Sequence, residues 1–162
     1  MISLSLSSSG SKVTLSSAPN THDKLSLDSI HPSASLCERL DHLGQEFLVG
    51  FYQVVTERQP ENLEALAELA QAHTRLGQWE RGLELDRRLV RILPEDPTIR
   101  YNLSCSLALT DRTLESLEAL EAAIALGYDD VEYLLRDPDM SALQNEPRFV
   151  ELVRRLRLAT TY

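Results

Sequence analysis

The chain has 162 residues, one domain's worth, and its 16 Lys and Arg face 25 Asp and Glu for a formal net charge of −9. An acidic surface of this kind lacks the basic patch that nucleic acid or an anionic lipid surface needs for counterion replacement, so both are excluded as partners. Scarce glycine, with Leu, Ala, Glu and Arg dominant, points to helices.

Residues 1–31 are rich in Ser, and their apolar spots, such as Leu4, Leu6 and Val13, never build a sustained face. A stretch this polar cannot offset its ordering entropy, which predicts a disordered tail. Its start has neither the basic opening nor the continuous apolar core of a secretory signal, and no apolar run is long enough to span a membrane. A cytoplasmic location is the expectation.

Helical periodicity begins near residue 32 and continues to 158, leaving 159–162 as a short tail. Ser33 is the expected cap of a first helix through Leu36 and Leu40, which Gly44 punctuates. A second stripe, Phe47, Leu48, Phe51, Val54 and Val55, stops at Gln59-Pro60. Asn62 caps the next helix, which carries Leu66, Leu69, Ala70 and His73 inward and ends at Leu76-Gly77. Another carries Leu83, Leu89, Val90 and Leu93 and stops before Pro94. Pro97 suits the first turn of its successor, with Leu103 and Leu107 inward. Thr113 is the expected cap of the helix bearing Leu117, Leu120 and Ile124, which ends at Gly127. Asp129 or Asp130 starts a short helix that Pro138 ends, and Asn145 with Pro147 opens a last one bearing Phe149, Leu152, Val153 and Leu156.

These helices recur in pairs. Pro60-Glu61-Asn62 and Pro94-Glu95-Asp96 lie 34 positions apart, and Tyr128-Asp129-Asp130 falls another 34 on. Leu69-Ala70 with Leu103-Ser104, Gly82 with Ser116, and Leu89 with Ala123 keep the same period. The block Leu63 to Asp96, with Leu66, Leu69-Ala70, Leu76-Gly77-Gln78-Trp79-Glu80, Leu89 and Pro94, closely resembles the tetratricopeptide repeat family. Small residues at 70 and 82 suit closely crossing helices, and Gly77 suits the turn between them. The block Pro97 to Asp130 matches less well, with Thr110-Asp111-Arg112 in place of the glycine turn. The stretch from Gly127 through Arg136-Asp137-Pro138 to Phe149 resembles the closing segment of bacterial arrays of this family, where it caps the stack.

The resemblance implies an all-α, right-handed superhelix of antiparallel helix pairs, two to three repeats with a capping helix. It also implies a non-catalytic module that binds another protein or a peptide, without cofactor or metal, in a concave groove lined by the first helices. The groove positions are Ala67, Gln71, Thr74 and Arg75, then Tyr101, Asn102, Cys105, Ala108 and Leu109, a small, rather apolar and almost uncharged surface. The alternative is that the chain's own tail or closing helix covers it. A basic clamp for acidic chaperone tails is not expected: Asn102 and Arg136 match its pattern, but Ala67, Gln71 and Glu132 do not. A secretion-type chaperone for apolar export substrates and the regulatory subunit of an enzyme complex are the rival roles.

Individual polar residues have structural readings. Asp86 and Arg100 replace apolar residues of the repeat and are expected to meet as an ion pair across the joint. His73 is expected to pack beside Trp79. The aspartates at 129, 130, 137 and 139 lack the glycine and closing glutamate of a calcium loop and read as helix caps. Cys37 and Cys105, equivalent positions two repeats apart, are expected about 20 Å from one another and unbridged.

Overall fold

The computed structural model describes residues 35–160. The Ser-rich segment assigned above to a disordered tail lies outside them. Seven α-helices and one 3-10 helix follow one another, with no strand among the described residues.

Helix α1 runs Leu36–Arg58 without a break. Its cap is Ser35 rather than Ser33. The Ser35 hydroxyl accepts from the Glu38 amide at 3.2 Å, and the Ser35 amide donates back to Glu38 Oε2 at 2.6 Å. Gly44 does not end it. One exposed glycine costs a helix about 1 kcal/mol, less than two separate helix ends with unsatisfied backbone groups would.

Helices α2 (Leu63–Arg75) and α3 (Trp79–Ile92) form a first hairpin, and α4 (Pro97–Leu109) and α5 (Thr113–Ala125) a second. Asn62 accepts from the Ala65 amide and Asp96 from the Ile99 amide, so both acids and amides before the first helices act as caps. Thr113 does not cap α5: it is the first helical residue, and Arg112 before it makes no side-chain cap bond. Both hairpins turn through a left-handed residue, Gly77 at φ 70° and Asp111 at φ 59°. The amides of Gln78 and Arg112 reach back to the carbonyls of His73 and Leu107, each at 2.9 Å, closing the helix ends in the same way.

The closing segment comprises α6 (Val131–Arg136), a 3-10 helix (Pro138–Leu143) and α7 (Pro147–Thr160). Pro138 ends α6 as expected, but the chain coils again at once, and the 3-10 turn delivers Met140 and Leu143 into complete burial. They join Leu120, Leu134, Phe149, Leu152 and Leu156 in the main core, between the second hairpin and the closing segment. A smaller cluster of Leu83, Leu107 and Ala119 ties α3 to the second hairpin. Helix α1 packs on α2 and buries none of its residues fully.

Candidate functional site

The predicted groove is half covered. Tyr101 and Ala108 are buried in the core beneath the closing segment and present no surface. The Tyr101 ring stacks on Tyr128 with centroids 4.3 Å apart and planes within 4°. Its hydroxyl donates to Asp137 Oδ2 at 2.6 Å. The same oxygen accepts from Cys105 Sγ at 3.6 Å, while Asp137 Oδ1 takes the Asp139 amide at 2.9 Å. Asp137 is therefore the buried clasp that holds the turn onto α4, and not a helix cap alone. Burial, with the Asp137 charge beside it, holds both the Tyr101 hydroxyl and the Cys105 thiol far above their usual pKa ranges. That thiol stays protonated and unreactive. Cys37 is exposed, and both cysteines are unbridged.

What remains of the groove is a cavity of 280 Å³ between α2, α4 and the clasp. Ala67, Gln71 and Thr74, one turn apart along α2, form one wall, with Asn102 and Cys105 of α4 opposite. Arg75 is exposed and lies outside that lining, and Leu109 lines a separate shallow cleft with Gly77 and Trp79.

The lining is not the nearly uncharged surface that the first helices alone implied. Four carboxylates open onto it, Glu68, Asp86, Asp137 and Asp139, and no lysine or arginine does. Asp86 does not meet Arg100. It accepts from Ser106 Oγ at 2.5 Å, while Arg100 Nε donates to the Pro94 carbonyl at 2.8 Å. Arg100 stands at the start of α4, so the backbone acceptor six residues back is the nearer partner. With only Ser106 bonding to it, burial pushes the Asp86 carboxyl up to about 6. Asp139 is also raised, by burial and then by the Asp137 charge. His73 is buried, and its Nδ1 bonds to Gln78 Oε1 at 2.7 Å, closing the α2–α3 turn.

Reading the groove from the predicted positions on α2 and α4 alone misses four acidic wall positions. Glu68 sits beside Ala67 on α2, Asp86 comes from a second helix, and Asp137 with Asp139 comes from the closing segment. One signal was available: Asp86 stands at a repeat position where Leu120 stands 34 residues on, so a carboxylate there needed a reason. Among the described residues, no group of three or more His, Cys, Asp or Glu is placed to hold a metal ion. Nor is any described helix long and apolar enough to cross a membrane.

Residues 63–104, which span α2, α3 and the first half of α4, match the family model of the tetratricopeptide repeat. No curated protein matches the chain.

Proposed function

Because the chain contains a tetratricopeptide repeat, a module typically non-catalytic and generally engaged in protein–protein interaction, we propose that it binds an extended, basic segment of another protein. A lysine or arginine side chain of that segment enters the cavity between α2 and α4. The observation that carries the reading is the lining: four carboxylates around 280 Å³, with amide and hydroxyl groups from Gln71, Asn102 and Thr74 and no basic residue. An inserted cation would give these carboxylates the charge-assisted partner that the cavity lining does not supply itself. The net charge of −9 favours approach of a basic partner. It disfavours an acidic chaperone tail, whose carboxylates would meet carboxylates.

Affinity follows the protonation of Asp86. Its carboxyl is raised to about 6, so it is charged and attractive at pH 7.5 and neutralises as the pH falls toward 5, and burial moves Asp139 in the same upward direction. The test is a titration of lysine- and arginine-containing peptide arrays, followed by calorimetry on the best binder. We expect Gln71→Lys, at an exposed lining position, to weaken binding at least tenfold with unchanged melting temperature. Binding that strengthens at pH 5, or a best binder rich in Asp and Glu, would remove the proposal.

A further inference from the structure

Helix α1 carries a second surface, remote in kind from the acidic cavity. Leu36 is 68% exposed, Leu40 59%, Phe47 71%, Phe51 52% and Val54 47%. At 100° per residue these five fall within about 60° of one another on the helix surface. Residues 36, 40, 43, 47, 50 and 54 follow spacings of four and three in alternation, the 3.5-residue repeat by which two helices mesh along a seam. The half-buried Leu48, Tyr52 and Val55 occupy the adjoining face. Nothing among the described residues covers the stripe.

The outermost face of a helical stack must be polar if it is to meet water. A contiguous apolar stripe of this size marks an interaction surface instead. Two exposed glycines sharpen the point. Gly44 and Gly50 lie in the helix interior, where each costs about 1 kcal/mol relative to alanine. A Cβ at either position would meet nothing within 4 Å, so the chain's own packing gives no reason for them.

We propose that this stripe is the seam of an antiparallel homodimer, α1 of one copy against α1 of a second, about a two-fold axis beside Gln45. In that register Leu36 faces Val54 of the other copy, Phe47 faces Leu43, and Leu40 enters the space left by the missing side chain of Gly50. Gly44 lies one residue from the axis on the flank of the seam, where the missing side chain leaves room for the facing helix. The seam layers contain no charge. The five exposed side chains supply roughly 500 Å² per copy, about 1,000 Å² in all, the lower bound of a specific interface, before any polar rim is added. One feature opposes the pairing: Glu46 approaches Glu46 of the other copy, each beside its own His42 at 3.5 Å.

The full-length chain in sedimentation equilibrium is the test. The expected result is a concentration-dependent shift from one to two chain masses. Leu40→Glu with Phe47→Glu should give a monomer at every concentration, with circular dichroism unchanged and a melting temperature equal to that of the wild type at concentrations low enough for it too to be monomeric. Glu46→Gln, which removes the one repulsion, should tighten association severalfold. A wild-type monomer at all concentrations overturns the proposal, as does a dimer that survives the double substitution. So does a double variant that melts below the monomeric wild type, since the stripe would then be covered by the chain's own residues 1–34.

Discussion

The two hairpins solve the same packing problem with opposite chemistry. In the first, α3 approaches α2 because Gly82 has no side chain: a Cβ there would lie 2.6 Å from Thr74 Oγ1 and 3.3 Å from the Ala70 carbonyl. Thirty-four residues on, the equivalent positions are Ser104 and Ser116, both fully buried, which exchange bonds. Ser104 Oγ donates to the Ser116 carbonyl at 2.8 Å, and Ser116 Oγ donates to the Ser104 carbonyl at 2.7 Å. One crossing is held by shape and the other by reciprocal hydrogen bonds. The difference extends to what each hairpin shows its surroundings. Ala67 and Asp86 in the first occupy the places of Tyr101 and Leu120 in the second. Tyr101 reaches the clasp and seals its face, and Leu120 fills the core. Ala67 is too short to reach, and Asp86 keeps a polar floor, so the first hairpin remains open.

The largest expected effect breaks the steric half of this comparison. Gly82→Val forces a Cβ and its two methyl groups against Thr74 and the Ala70 carbonyl, and overpacking of this kind costs about 3 kcal/mol. Gly82→Ser imports the second hairpin's residue without a serine at position 70 to receive it, and costs less, about 1–2 kcal/mol. Urea denaturation monitored by helicity measures both. A Gly82→Val protein within 0.5 kcal/mol of wild type would mean that the helices do not cross this closely.

A smaller effect, of opposite sign, sharpens the polar half. The Asp86 carboxyl is raised from 3.8 to about 6 by burial. The folded state therefore holds this proton more tightly than the unfolded chain does. The stabilisation this confers is complete below pH 3.8 and is lost as pH rises through about 6. At pH 7.5 the buried charge opposes folding, by an amount of order 3 kcal/mol for two pKa units. Asp86→Asn keeps an acceptor for Ser106 and removes the charge, so it should stabilise by about 1–2 kcal/mol at pH 7.5 and by almost nothing at pH 4. The same substitution should weaken basic-peptide binding, which separates a residue kept for its ligand from one kept for the fold. A gain that persists at pH 4 would show that charge burial is not the cause.

How far these features could be read from the residues depended on the range of the interactions. Caps, turns and helix ends follow from neighbours in sequence, and Asn62, Gly77, Pro97, Pro138 and Pro147 mark their boundaries. The repeat spacing then placed the small residues at 70, 82, 104 and 116 in contact, because periodicity converts a local pattern into a packing rule. The clasp was invisible for the converse reason. Tyr101 and Asp137 are separated by 36 residues, and Asp137 belongs to a segment outside the repeat, so no period relates them. Asp86 is legible as out of pattern, but its partner is not. Charge favoured Arg100, whereas the shorter route for that guanidinium is the Pro94 carbonyl, leaving Ser106 to Asp86. The continuity of α1 through Gly44 is not legible locally, because the cost of one weak helix residue is offset by the whole 23-residue helix around it.

The smallest effect concerns the turns, where the hairpins agree in geometry and differ in residue. Gly77 and Asp111 both occupy the left-handed region, at φ 70° and 59°. Glycine adopts it freely, while an aspartate does so against a strain that its short side chain only partly relieves. A Cβ at Gly77 meets nothing within 4 Å, so conformation alone distinguishes the two sites. Gly77→Asp should therefore destabilise by about 0.5–1 kcal/mol, and Asp111→Gly should stabilise by less, because added glycine also loosens the unfolded chain. The double exchange should nearly cancel, since the two turns share no partner. If Asp111→Gly instead destabilises by more than 1 kcal/mol, the aspartate is held by more than its backbone. The second hairpin would then differ from the first in a polar contact at its turn as well as at its crossing.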